Sequence, residues 1–99
     1  MKVEIKADFA RIIFEEKLNI INMSECENEF KKLIEDGIND IILDFKNLKE
    51  VDSFGLGKIL HFNKIVEDNG GNLKIENVNS EYIKRVFKVV KLSDIIEIY

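Results

Sequence analysis

The chain has 99 residues, 45% hydrophobic and 34% charged, with 19 acids against 15 bases and a net charge of −4. That length sets one domain around a single core, and the composition is that of a globular chain, not a disordered one. Bases are interspersed among acids with no basic patch, which excludes a phosphate-backbone partner, so no nucleic acid is expected.

The opening MKVEIKAD lacks the apolar core of a signal peptide, and no apolar run approaches the ~20 residues needed to span a bilayer. The expectation is a cytoplasmic protein without membrane insertion. Val3 to Lys6 and Ala10 to Phe14 alternate apolar and polar positions around a turn at Ala7-Asp8-Phe9, which predicts a β-hairpin. Ser24-Glu25-Cys26-Glu27 reads as a capping box that starts a first helix. Cys26, Phe30, Leu33 and Ile34 then share one helical face, and Gly37 supplies a left-handed stop. Cys26 is the sole cysteine, so an internal disulfide is excluded and no metal cluster or cofactor is expected. Its chemistry is that of a small apolar side chain.

Asp40 to Phe45 is almost continuously apolar, the pattern of a strand covered on both faces. A second helix is predicted over about 54–68, closed by Asn69-Gly70-Gly71. Leu73, Ile75 and Val78 mark another strand. Ser80 caps a third helix with Ile83, Val86, Phe87 and Val90 at core spacing. Residues 94–99 close the chain as a strand or short extension. The order β-β-α-β-α-β-α-β predicts an α/β domain over 1–99, a mixed sheet packed with α-helices. Partners of such sheets favour the loops at the carboxyl ends of parallel strands. This points to VDSFGLG, residues 51–57.

Asp52 or Ser53 can cap the helix that starts there, and with Asp52 as cap, Val51 and Leu56 occupy the positions of a hydrophobic staple. Gly55 and Gly57 permit close backbone approach. A helix start tolerates a phosphate, yet this is no P-loop, because the lysine-then-hydroxyl ending is missing. It is no nucleophile elbow either, since no glycine precedes Ser53 by two positions.

Asp52-Ser53-Phe54-Gly55-Leu56-Gly57, following ILDFKNLKEV, resembles the signature of STAS domains, the anti-sigma factor antagonist family. Glu16-Lys17-Leu18-Asn19 is similar to the family's Gly-Glu-Leu-Asp segment, and residues 83–92 resemble its last helix. The resemblance covers essentially the whole chain. It implies a single STAS-type domain and a protein-binding regulator, not an enzyme. Such a protein binds an anti-sigma factor, often a serine kinase, and thereby controls sigma-factor-dependent transcription in bacteria. It also implies a partner-binding face of Asn19, Asp52, Ser53, Phe54 and Gly55. The usual signature reads Asp-Ser-Ser-Gly-Leu-Gly with the second serine as phosphoacceptor. Phe54 stands at that position and cannot be phosphorylated; Ser53 matches the first serine. Asn19 stands where many relatives carry aspartate, and Glu16 replaces a glycine.

Projected at about 100° per residue, Leu56, Ile59, Phe62 and Val66 form the apolar stripe of the second helix, and Phe54 lies away from it with Lys58, His61 and Ile65. Two readings of Phe54 stay open: an exposed contact anchor, or a ring folded over the neighbouring loop to cap the core. An alternative function is a phosphorylation-independent STAS interaction module in another signalling or transporter-associated assembly. An enzyme using Ser53 with His61 lacks an acidic orienter and an oxyanion motif.

Overall fold

The predicted hairpin forms. In a computed structural model, which describes residues 1–99, β1 (Lys2–Ile5) pairs antiparallel with β2 (Phe9–Ile13), and the Lys6 N–H donates to the Phe9 carbonyl at 2.9 Å across the turn. β2 then runs parallel to β4 (Asp40–Asp44), β4 to β6 (Asn72–Glu76), and β6 to the short β7 (Glu97–Ile98). The result is a five-stranded mixed sheet in the order β1-β2-β4-β6-β7. Two further strands, absent from the predicted order, pair with each other: β3 (Lys17–Leu18) and β5 (Glu50–Val51) form a separate parallel ribbon.

Helices α1 (Ile20–Glu35), α2 (Ser53–Asp68) and α3 (Glu81–Val89) connect the strands, and a 3-10 turn at Leu92–Asp94 precedes β7. Ala10, Ile12, Ile41, Leu43, Leu73 and Ile75 alternate onto one sheet face and are buried there. Met23, Cys26, Phe30 and Leu33 of α1 join Ile59, Phe62 and Val66 of α2 in the same core. Phe30 and Phe62 stack with centroids 4.5 Å apart, and Phe14, Phe45 and Phe87 continue the core in tilted pairs at 5.3 and 5.9 Å.

The expectation for the central strand needs correction, because β4 is not covered on both faces. The register sets Arg11 beside Ile42 and Ile42 beside Lys74 on the second face, where all three are only partly buried. Asp44 is buried on that face because it is paired: Arg11 donates to it at 2.9 Å and to Glu76 at 2.8 Å. The Lys46 N–H and Asn77 Nδ2 complete its hydrogen bonds at 3.1 and 3.2 Å. A buried carboxylate so matched needs no helix above it.

The start of α1 is also corrected. The helix begins four residues before Ser24, and Asn19 is its cap; Ser24 instead donates to the Ile20 carbonyl at 2.8 Å from within the helix. Glu27, the other half of the expected box, reaches across to Lys58 of α2 at 2.7 Å. The local signal lost to tertiary structure, because β3 delivers the chain into the helix already at residue 19. Gly37 does adopt the left-handed conformation (φ 82°). In α3, Ser80 caps through the Ile83 N–H at 3.3 Å, and Ile83 and Phe87 are buried, whereas Val90, expected in the core, is exposed.

Candidate protein-binding face

Parallel pairing of β3 and β5 decides what meets at this rim. Leu18 lies beside Val51, so the residues that follow, Asn19 and Asp52, emerge side by side and each starts a helix. The ribbon is held from below: Leu18 is buried, and the Lys49 and Glu50 N–H groups donate to the Glu16 carbonyl at 2.8 and 2.9 Å. Asn19 Oδ1 accepts from the Ile21 and Asn22 N–H groups, both at 3.1 Å. Asp52 Oδ1 accepts from the Gly55 N–H at 2.8 Å, while its own N–H donates to the Leu18 carbonyl at 3.2 Å. Asp52, not Ser53, is therefore the cap of α2, and both caps satisfy amides that a helix start leaves orphaned.

Gly55 lets α2 reach the ribbon. A Cβ there would sit 2.8 Å from the Leu18 carbonyl oxygen and 3.0 Å from the Leu18 Cβ. Gly57, expected to serve the same purpose, faces open space. Val51 and Leu56, the staple positions, are both partly buried against the core.

Ser53 is exposed at the first helical position, with its hydroxyl free of a capping role. Phe54 lies outside the core and is 39% exposed, which favours the contact-anchor reading over a ring that caps the core. Its ring is not loose, because the Lys58 ammonium lies over it, 5.8 Å from the centroid, and the same ammonium pairs with Glu27 of α1. The Lys58 hydrogen bond, followed by that of Lys31, holds the Glu27 carboxyl below its ordinary range. This chain of contacts ties the exposed phenyl to both helices.

Residues not singled out in the sequence complete the face. Ile20 and Ile21, in the first turn of α1, are 58% and 77% exposed. Tyr82 of α3 is exposed and lines a groove of about 660 Å³ together with Leu18, Asn19, Val51 and Asp52. The signal for the isoleucines was readable: two consecutive β-branched apolar residues at a helix start cannot both point to the core. Tyr82 gave no such signal, since only the fold carries α3 to this rim.

The other candidate chemistry is not assembled. Ser53 and His61 are eight residues apart on one helix, an axial rise of about 12 Å that is far beyond hydrogen-bond reach. Burial, followed by the charges of Glu25, Glu27 and Glu29, pushes the Cys26 thiol up to about 12, which keeps it protonated and unreactive. No helix is long and apolar enough to cross a membrane.

A family model described as the STAS domain matches residues 1–99. The chain is 41% identical over 59 residues to the anti-sigma-B factor antagonist of Bacillus subtilis, a stretch covering 60% of this chain and 53% of that relative's length. A candidate anti-sigma factor antagonist of Thermotoga neapolitana is 30% identical over 97 residues, covering 97% of this chain and 85% of that one. The crystal structure of a candidate anti-sigma factor antagonist from Thermotoga maritima superposes with a TM-score of 0.89 at 28% identity, over 99% of this chain and 84% of its own. The anti-sigma factor antagonist SpoIIAA in its unphosphorylated form shares the fold with a TM-score of 0.78 at 20% identity, over 99% of this chain and 86% of its own. The chain belongs to the STAS domain family, as an anti-sigma factor antagonist-like member.

Proposed function

We propose that this protein acts by binding an anti-sigma factor through the rim formed by Asn19, Asp52, Ser53, Phe54 and Gly55, and that it does so without a phosphorylation switch at residue 54. One observation carries the reading. The β3–β5 ribbon sets two helix starts side by side, and a partly exposed phenyl stands where the family pattern has its acceptor hydroxyl. Exposed Ile20 and Ile21 follow Asn19, and exposed Tyr82 lines a groove with Asn19 and Asp52; apolar and aromatic anchors amid polar caps suit a protein interface better than a small-molecule site. The role is regulatory, the partner is an anti-sigma factor of the serine kinase type, and the setting is the cytoplasm.

Phe54 also supports a second reading, in which the domain is a constitutive interaction module in another signalling or transporter-associated assembly. Affinity capture from the native cytosol, read by mass spectrometry, separates the two by the partner retained. With an anti-sigma factor identified, Asp52→Arg should abolish its capture, and fully native affinity in that variant overturns the placement of the site.

Incubation with the kinase and ATP tests the switch. The native chain should remain unlabelled, whereas Phe54→Ser should become a substrate at residue 54, where a helix start accommodates the added charge. Stoichiometric labelling of the native protein at Ser53 would show that the acceptor has moved by one residue.

A further inference from the structure

Helix α3 carries an apolar surface that the core does not use. Ile83 and Phe87 are its buried positions. Beside them Tyr82, Val86, Val89 and Val90 follow the i, i+4, i+7, i+8 spacing of a second stripe. Val86 is partly buried, and Tyr82, Val89 and Val90 are 53%, 78% and 48% exposed. These four residues and Arg85 line a shallow groove of about 410 Å³.

Arg85 is the one charged residue that lines this groove. At about 100° per residue it falls on the solvent side of the stripe, with Glu81 and then Lys88 farther round the helix. Lys84 is occupied by Glu81 at 3.3 Å, whereas Arg85 has no ion-pair partner. An unpaired guanidinium as the single charge lining an apolar groove, on a protein of net charge −4, marks local complementarity to an acidic partner. The stripe also runs without a break into the face described above, since Tyr82 lines both grooves.

We infer that the Tyr82–Val90 stripe of α3 is a second docking surface, and that its occupant is an acidic amphipathic helix whose apolar side lies along the stripe with a carboxylate against Arg85. Helix-in-groove recognition reads anchors at this spacing. The assignment of that helix to the protein bound at the Asn19–Asp52 rim rests on the function proposed above; the surface itself does not.

The test uses the isotope-labelled full chain and two synthetic helical peptides with leucines at i, i+4 and i+7, one flanked by glutamates and one by lysines. In amide NMR titrations the glutamate peptide should shift Tyr82, Arg85, Val86, Val89 and Val90, and bind at least about tenfold more tightly than the lysine peptide. Arg85→Glu should reverse that preference. Val89→Asp, at a position too exposed to matter for folding, should abolish the shifts with the rest of the spectrum unchanged. Equal binding of the two peptides, shifts mapping elsewhere, or indifference to Arg85→Glu overturns the inference. So does sedimentation of the native protein, but not Val89→Asp, with phosphatidylglycerol vesicles, which would assign the stripe to a lipid surface. Asp52→Arg should leave peptide binding intact, so failure at the rim and failure at α3 are read separately.

Discussion

The two rims of the parallel sheet use the same device to different ends. At the amino-terminal rim, Asn39 leads into β4 and Gly71 into β6, so close together that a Cβ on Gly71 would lie 2.1 Å from the Asn39 carbonyl oxygen. At the carboxyl-terminal rim, Gly55 brings α2 against Leu18 in the same way, with 2.8 Å to the corresponding oxygen. At the first rim the polar groups around that approach bond one another. Asn39 Nδ2 donates to the Asn69 carbonyl at 2.9 Å, the Gly71 N–H to Val66 at 2.9 Å, and the Asn72 N–H to Asn39 at 3.2 Å. The second rim satisfies its backbone through Asn19 and Asp52, yet leaves Ser53, Phe54, Ile20, Ile21 and Tyr82 facing solvent. A glycine at a close approach therefore says that backbones meet, and the exposed side chains around it say whether anything else is meant to meet them.

The largest effect should come from the closed rim. Gly71→Ala forces a Cβ into main-chain atoms that have no free rotamer to yield, and should destabilise by about 3 kcal/mol or more. Denaturant unfolding measures the loss, and partner capture by the remaining folded protein should be native. A melting temperature unchanged by this substitution would dissolve the contrast between the rims.

Gly55→Ala meets a less severe clash at the open rim and should cost about 1–3 kcal/mol. Unlike Gly71→Ala, it should also weaken capture beyond what stability explains, because displacing α2 from Leu18 shifts Phe54. Asp52→Ala removes the helix cap and should cost about 1 kcal/mol in the same unfolding assay. Native stability in this variant would mean that the Gly55 amide finds another acceptor.

Phe54→Ala separates binding from folding. A ring outside the core, held by one partly buried ammonium, should cost less than about 1 kcal/mol of stability. Partner affinity should nevertheless fall by more than about 1 kcal/mol. Loss of stability with affinity untouched would return Phe54 to a packing role.

The smallest effect is a pH dependence. Lys58 holds the Glu27 carboxyl below its ordinary range, so the folded state favours ionised Glu27. That contribution is present at neutral pH and is lost as the pH falls through the acidic titration of the carboxylate. The native protein should exceed Lys58→Met in stability by a few tenths of a kcal/mol near neutrality, with the gap closing below about pH 4. A gap independent of pH would show that Lys58 acts through packing on Phe54 alone.

The sequence by itself determined the elements whose cause is local. Alternation built the hairpin, the 3.6-residue periodicity of Phe30, Leu33, Ile59, Phe62 and Val66 built two packed helices, Ser80 announced its cap, and the cap of α2 was narrowed to Asp52 or Ser53. The residues of VDSFGLG pointed to a helix start at the end of a strand, and Asn19, Asp52 and Phe54 do stand at one rim. Tertiary structure decided the rest. Asn19 displaced the Ser24 box as the start of α1 because β3 enters the helix from its pairing with β5, a contact about 33 residues distant that no local window contains. Asp44 could be buried on an open sheet face only because Arg11 and Asn77 come from other segments to pair with it. Which apolar residues remain exposed, Ile21 and Val89 above all, is likewise set by where each helix comes to rest, since periodicity names a face but not the surface it lands on.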